Sequence, residues 1–225
     1  MKVTAVHTID VLDAFFFRNL LSEKTILKNA RILIQSGEYN MGKYDPSPSA
    51  LFRLSSAINL LEGQLCTNEV EKLLAEAYYQ RGKANFLLNS PKRALSDLGK
   101  AISLCHGTAA YLCRSEVQSE LGNCKGAIDD LTKAIGLNPT SADLFNARGL
   151  VKYGSGDYQG AKEDCNMAIC LDANCNDAYH TRGNAKAKLN DMEGAKEDYR
   201  IASEIYKRQN PDAQVGRAVG NGYKK

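Results

Sequence analysis

From about residue 75 to 207, small, apolar and charged residues return at a fixed interval that suits a pair of helices. Five columns align without adjustment. An aromatic stands at Tyr78, Tyr111, Phe145 and Tyr179, and an arginine follows it at Arg81, Arg114, Arg148 and Arg182. Alanine recurs at Ala94, Ala127, Ala161 and Ala195, and again at Ala101, Ala134, Ala168 and Ala202. Aspartate recurs at Asp97, Asp130, Asp164 and Asp198. Every column steps by 33, then 34, then 34 residues, and self-similarity at such a period marks stacked supersecondary units. A first helix is expected from near the aromatic to a turn at Leu88-Asn89, Leu121-Gly122, Ser155-Gly156 or Leu189-Asn190, because Gly and Asn tolerate the left-handed conformation that ends helices. In the second helix Leu98, Leu131, Cys165 or Tyr199 stands between the two alanines. Spacings of four and three keep that stripe on one face, where alanine lets two backbones approach closely.

Upstream the pattern is worn. Ala50, Leu54 and Ala57 repeat the stripe, and Glu23 to Ser36 followed by Gly37 is patterned like a first helix. The segment 41–49 holds Pro46 and Pro48 and is expected as an inserted loop, since proline excludes a continuous helix there. These features predict a helix at 1–22, a degenerate pair at 23–63 and a junction at 64–74. Four repeats follow at 75–107, 108–141, 142–175 and 176–207, with a basic tail at 208–225. In the first of these segments Ile9, Leu12, Phe16 and Leu20 recur at helical spacing with Asp10, Asp13 and Arg18 among polar positions. An amphipathic helix packed on the next element is expected, with a membrane-surface helix as the alternative. Its charges and lack of a small-residue cleavage site argue against a signal peptide or membrane span.

Period, columns and the mid-helix glycines Gly82, Gly149 and Gly183 (Ser115 departs) together resemble the tetratricopeptide repeat, in a spelling similar to bacterial and cyanobacterial copies. The resemblance implies an all-α, right-handed superhelical solenoid of antiparallel helix pairs whose first helices line a concave groove for a peptide or a partner's helix. In that family the groove positions map to Tyr79, Lys83 and Phe86; Leu112, Glu116 and Ser119; Asn146, Leu150 and Tyr153; and His180, Asn184 and Lys188. The family's chaperone adaptors grip a terminal carboxylate with Lys, Asn and Arg at fixed slots. Here those slots hold Tyr79, Lys83, Cys113, Asp143 and Ala147, or one repeat later Leu112, Glu116, Ala147, Asp177 and Thr181. Neither frame makes the clamp.

A residue repeated in every unit serves something every unit needs, so the Arg and Asp columns are expected to pair structurally across helices. Recognition is expected instead at the twelve variable groove positions. Composition adds little to this. The 225 residues are 44% hydrophobic with a net charge of +3. Lys207, Arg208, Arg217, Lys224 and Lys225 against Asp212 place that excess in the tail. Specific nucleic-acid binding is therefore not expected. The 7 cysteines contain no C-x-x-C and are expected as reduced thiols in a cytoplasmic compartment, neither paired nor metal-bound. His7, His106 and His180 fall in different elements, and no phosphate loop or nucleophile elbow occurs. We therefore expect no catalytic residue, no cofactor or metal, and no small-molecule substrate. A non-catalytic scaffold or adaptor binding protein is expected. The main alternative is a homo-oligomer formed through exposed solenoid ends, which need polar caps.

Overall fold

The computed structural model describes residues 23–40, 48–64, 67–105 and 107–211, which form ten helices and no strand. The helices are α1 (Glu23–Asn40), α2 (Pro48–Leu61), α3 (Asn68–Leu87), α4 (Pro91–Leu104), α5 (Thr108–Glu120), α6 (Cys124–Leu137), α7 (Ala142–Gly154), α8 (Tyr158–Leu171), α9 (Asn176–Lys188) and α10 (Met192–Gln209). Two compact units divide the chain after Val117, within α5. In the first unit α1 pairs with α2, α3 packs on both, and α4 pairs with α3. In the second, α7 pairs with α8 and α9 with α10, while α6 packs on α7 and α8 on α9. The fold is an all-helical array of sequential antiparallel pairs of tetratricopeptide type.

The turns inside each pair follow from their residues. Asn89 and Asn190 take φ of 53° and 65°, and Gly122 and Gly156 take 77° and 90°. Each reverses the chain so that the next amide reaches back into the helix: Ser90 N to Asn85 O at 2.8 Å, Asn123 N to Gln118 O at 2.8 Å, Asp157 N to Lys152 O and Asp191 N to Lys186 O at 2.9 Å. That satisfies carbonyls the helix end would otherwise orphan. The residue just past the turn then caps the following helix. Asn123, Asp157 and Asp191 accept from the amides of Gly126, Gly160 and Gly194 at 3.2, 2.9 and 2.9 Å.

Close approach explains the stripes. Ala94, Ala127, Ala161, Ala134 and Ala168 are fully buried, and in three pairs the glycine of the first helix meets the stripe beside the first of its alanines. A Cβ on Gly82 would stand 2.8 Å from Leu98 Cγ, and one on Gly183 would stand 2.7 Å from the Tyr199 ring. Where Ser115 replaces glycine, the side chain is buried and its Oγ donates to Leu112 O at 2.6 Å. The upstream pair uses the same device: Ala50, Leu54 and Ala57 are fully buried, and a Cβ on Gly37 would meet Leu54 Cγ at 2.8 Å.

The junction expected over 64–74 is helical from Asn68 onward. Thr67 Oγ1 accepts the Val70 amide at 3.3 Å and starts α3 ten residues before Tyr78. Val70, Leu73 and Leu74 pack against Leu27, Ala30 and Leu61, so the early start is held by burial that the repeat columns do not encode. The last helix also runs to Gln209, whose amide donates to Asn174 O at 3.1 Å. The helix expected at 1–22, residues 41–47 of the inserted loop and the tail from 212 lie outside the described residues.

Candidate functional site

The repeated ions pair within their own helix pair. Arg81, Arg148 and Arg182 each grip the aspartate of the following helix with two parallel bonds of 2.7–2.9 Å. The side chains of Asp97, Asp164 and Asp198 are only 7%, 5% and 2% exposed. The third guanidinium nitrogen reaches the preceding second helix, donating to Ser55 and Thr132 at 3.2 Å and to Asn166 at 2.8 Å. One side chain thus ties its own pair to the one before, which explains a residue present in every unit. Each guanidinium also lies over the aromatic three residues earlier, at 5.1–5.8 Å for all four including Arg114 over Tyr111, within cation–π range.

A further column emerges only in three dimensions. One turn beyond each arginine stands a further donor to the aspartate of the following helix: Asn85 at 3.0 Å, Gln118 at 2.5 Å, and Lys152 and Lys186 at 2.9 Å. Asn, Gln and Lys share no spelling, so alignment of identical letters misses them. Their common property is a side-chain N–H at i+4 from the arginine. Around Asp198, burial alone would raise the carboxyl, but bonds from Arg182 and Lys186 outweigh it and hold the group below its ordinary value. Burial pulls the Arg81 guanidinium down, and Asp97 more than restores it.

The twelve variable positions separate into different environments. In the first unit Tyr79 and Phe86 pack against Ala94, Leu98, Cys113 and Val117, and Leu112 is half-buried while Lys83 and Glu116 are exposed. In the second unit α7 lies beside α9. Their first-helix positions supply Asn146, Leu150, Tyr153, His180, Asn184 and Lys188, and Ser119 is half-buried at the end of α5. Leu150 is 54% exposed. Asn184 joins two rings: its Oδ1 accepts from Tyr199 OH at 2.8 Å, and its Nδ2 lies 3.3 Å from His180 Nδ1. The His180 and Tyr199 rings are 5.6 Å apart, and Tyr153 contacts Tyr158 with centroids 5.5 Å apart. Asn146 Oδ1 is buried and accepts no hydrogen bond among the described residues.

The sequence of residues 177–208 matches the tetratricopeptide repeat. No curated protein matches the chain at the sequence level. Among solved structures, the chain is similar to MamA residues 41 to the end from Desulfovibrio magneticus RS-1, with a TM-score of 0.68 at 19% identity over 81% of this chain and 97% of that one. A second MamA crystal structure gives 0.61 at 22% identity, covering 78% and 96%. YrrB, described as a tetratricopeptide-repeat protein with an unusual peptide-binding site, gives 0.57 at 20% identity, covering 94% and 92%. These likenesses are likenesses of fold. No described helix is long and apolar enough to cross a membrane.

Proposed function

We propose that the protein is a non-catalytic interaction scaffold that holds a peptide or helix of a partner protein on the faces of its first helices. The observation that carries this reading is Asn146. A buried carbonyl oxygen without a donor costs roughly 1–3 kcal/mol, and its Oδ1 stands so on the first-helix face of the second unit. Exposed Leu150 and the Tyr153, His180 and Asn184 side chains accompany it there. An amide, an exposed leucine and aromatic edges suit a peptide that offers backbone N–H groups and apolar side chains. The peptide-binding site attributed to YrrB supports the same use of this fold. The non-catalytic reading is supported by His180, whose Nδ1 faces an amide rather than a nucleophile. We place the protein in a reducing compartment such as the cytoplasm, where the buried Cys113 and Cys165 serve as small core residues.

The test compares affinity capture by the wild-type chain, by Asn146→Ala, and by an Asn146→Ala/His180→Ala/Asn184→Ala variant. A partner retained by the wild type and lost by both variants supports the proposal. Asn146→Ala is expected to keep or slightly raise thermal stability while losing the partner, because it deletes an orphaned acceptor. Capture unchanged in the triple variant overturns the reading.

A further inference from the structure

The first unit holds a pocket of about 510 Å³ that none of the twelve first-helix positions lines. Its opposing walls are second helices, with Phe52 and Ser55 on α2 facing Arg93, Ser96 and Lys100 on α4. Arg81 spans between them, bonded to Ser55 on one side and Asp97 on the other. That volume falls within the range of about 300–1,000 Å³ usual for ligand sites.

The pocket is cationic once internal pairs cancel. Arg81 and Asp97 satisfy each other, with Asn85 as the second donor to Asp97. Lys100 donates to Tyr78 OH at 3.1 Å, and that hydroxyl is in turn bonded to Glu62. Lys100 is nevertheless exposed and keeps two further N–H groups for a ligand. Arg93 is exposed and makes no hydrogen bond or ion pair among the described residues.

Two pocket residues also depart from the repeat. In the register of the alanine columns, the Arg93 position is Ser49 upstream and glycine in the later units: Gly126, Gly160 and Gly194. Those glycines sit under the Asn or Asp cap of their helix, whereas Ser90 makes no side-chain cap on α4. The first turn of α4 contains no acid, and Arg93 lies there at the positive end of the helix dipole. A cation in that place works against helix stability. Phe52 stands where the later units have Ser96, Asp129, Glu163 and Glu197, and it is 55% exposed. An exposed aromatic in a polar column and a cation at a helix N-terminus thus stand on facing walls of one pocket.

We propose that this pocket binds an extended acidic segment of a partner protein, with carboxylates three residues apart and an apolar residue between them. Arg93 and Lys100 are seven residues apart on α4, which separates them by about 10 Å along the helix. Three residues of an extended, polyproline-like segment advance about 9 Å and return to the same side, so two such carboxylates reach both cations. The intervening side chain then meets Phe52. On a helical ligand, carboxylates three residues apart are only about 4.5 Å apart along the axis, short of the separation of Arg93 and Lys100.

The site is tested with a fluorescein-labelled peptide, Gly-Glu-Leu-Pro-Glu-Gly, in polarisation titrations on the full chain. The reference is a peptide of the same composition with adjacent glutamates. The wild type is expected to bind the spaced peptide at least fivefold more tightly. Arg93→Glu is expected to weaken binding at least tenfold, Phe52→Ala three- to tenfold, and Lys83→Glu on the first-helix face not at all. Arg93→Gly supplies the residue the three later units carry, so it is expected to keep the circular dichroism of the wild type while losing affinity. Unchanged affinity in Arg93→Gly and Arg93→Glu, or equal binding of the two peptides, overturns the proposal. Displacement of the peptide by equimolar inorganic phosphate also overturns it, as that identifies a general anion seat. Loss of partner capture on the first-helix face leaves these titrations unaffected, so the two readings fail separately.

Discussion

Replacing Asp198 by asparagine keeps the shape of the side chain and removes the charge on which two cations converge. Arg182 Nη2 and Lys186 Nζ stand 2.7 and 2.9 Å from its two oxygens, and all three side chains are less than 20% exposed. Breaking a buried pair costs about 3–5 kcal/mol because the surviving charge is stranded. Asparagine still accepts from one donor, so the lower end, about 3 kcal/mol, is expected for Asp198→Asn. For a chain of this size that corresponds to roughly 6–12 °C in Tm. Urea unfolding followed by circular dichroism reads the loss, and amide exchange localises it to α9 and α10. Two other substitutions calibrate this value. Glu193→Gln breaks an ion pair whose side chains are 69% and 86% exposed, and should cost no more than about 1 kcal/mol. Asp97→Asn strands one cation, since its second partner is the neutral Asn85, and should cost less than Asp198→Asn. The effect also carries a pH signature. Folding lowers the Asp198 pKa through Arg182 and Lys186 against the opposing effect of burial. Its contribution is therefore complete above the unfolded value near 4 and disappears as pH falls through the lower folded value. Wild type and variant should converge in acid. An Asp198→Asn cost below about 1 kcal/mol at neutral pH, indistinguishable from Glu193→Gln, would refute the account of the repeated ions.

Two further outcomes follow from packing. Gly183→Ala places a methyl 2.7 Å from the Tyr199 ring and 3.3 Å from Ala195 O; it is expected to destabilise by about 1–3 kcal/mol in urea titrations despite the better helix propensity of alanine. Burial pushes the Cys113 and Cys165 thiols up to about 12, with Glu116 and Asp164 adding to the effect. Iodoacetamide at pH 8 should therefore modify the exposed Cys105 and Cys170 first, with mass spectrometry finding Cys113 and Cys165 labelled only after denaturant is added.

Why the solenoid was legible and the recognition surface was not comes down to which interactions repeat. Ala94 and Ala161 solve one problem, the approach of two backbones, and the solution is spelled the same way each time. Arg81, Arg148 and Arg182 likewise join an aspartate of their own pair to the preceding second helix, so they form a column of identical letters. The second donor to each aspartate is equally regular in space but is met by Asn85, Gln118, Lys152 and Lys186, because the requirement is an N–H within reach and several side chains meet it. The early start of α3 is legible only as burial of Val70 and Leu73 against α1 and α2, a contact between elements far apart in the pattern. Family positions do not distinguish Tyr79 and Phe86, which complete a core, from Leu150, which faces water. Residues that depart from a column therefore divide by environment. A departure that is buried and bonded, such as Ser115, is compensation within the fold. Departures that stay exposed, as Arg93 and Phe52 do, are where a binding role is to be sought.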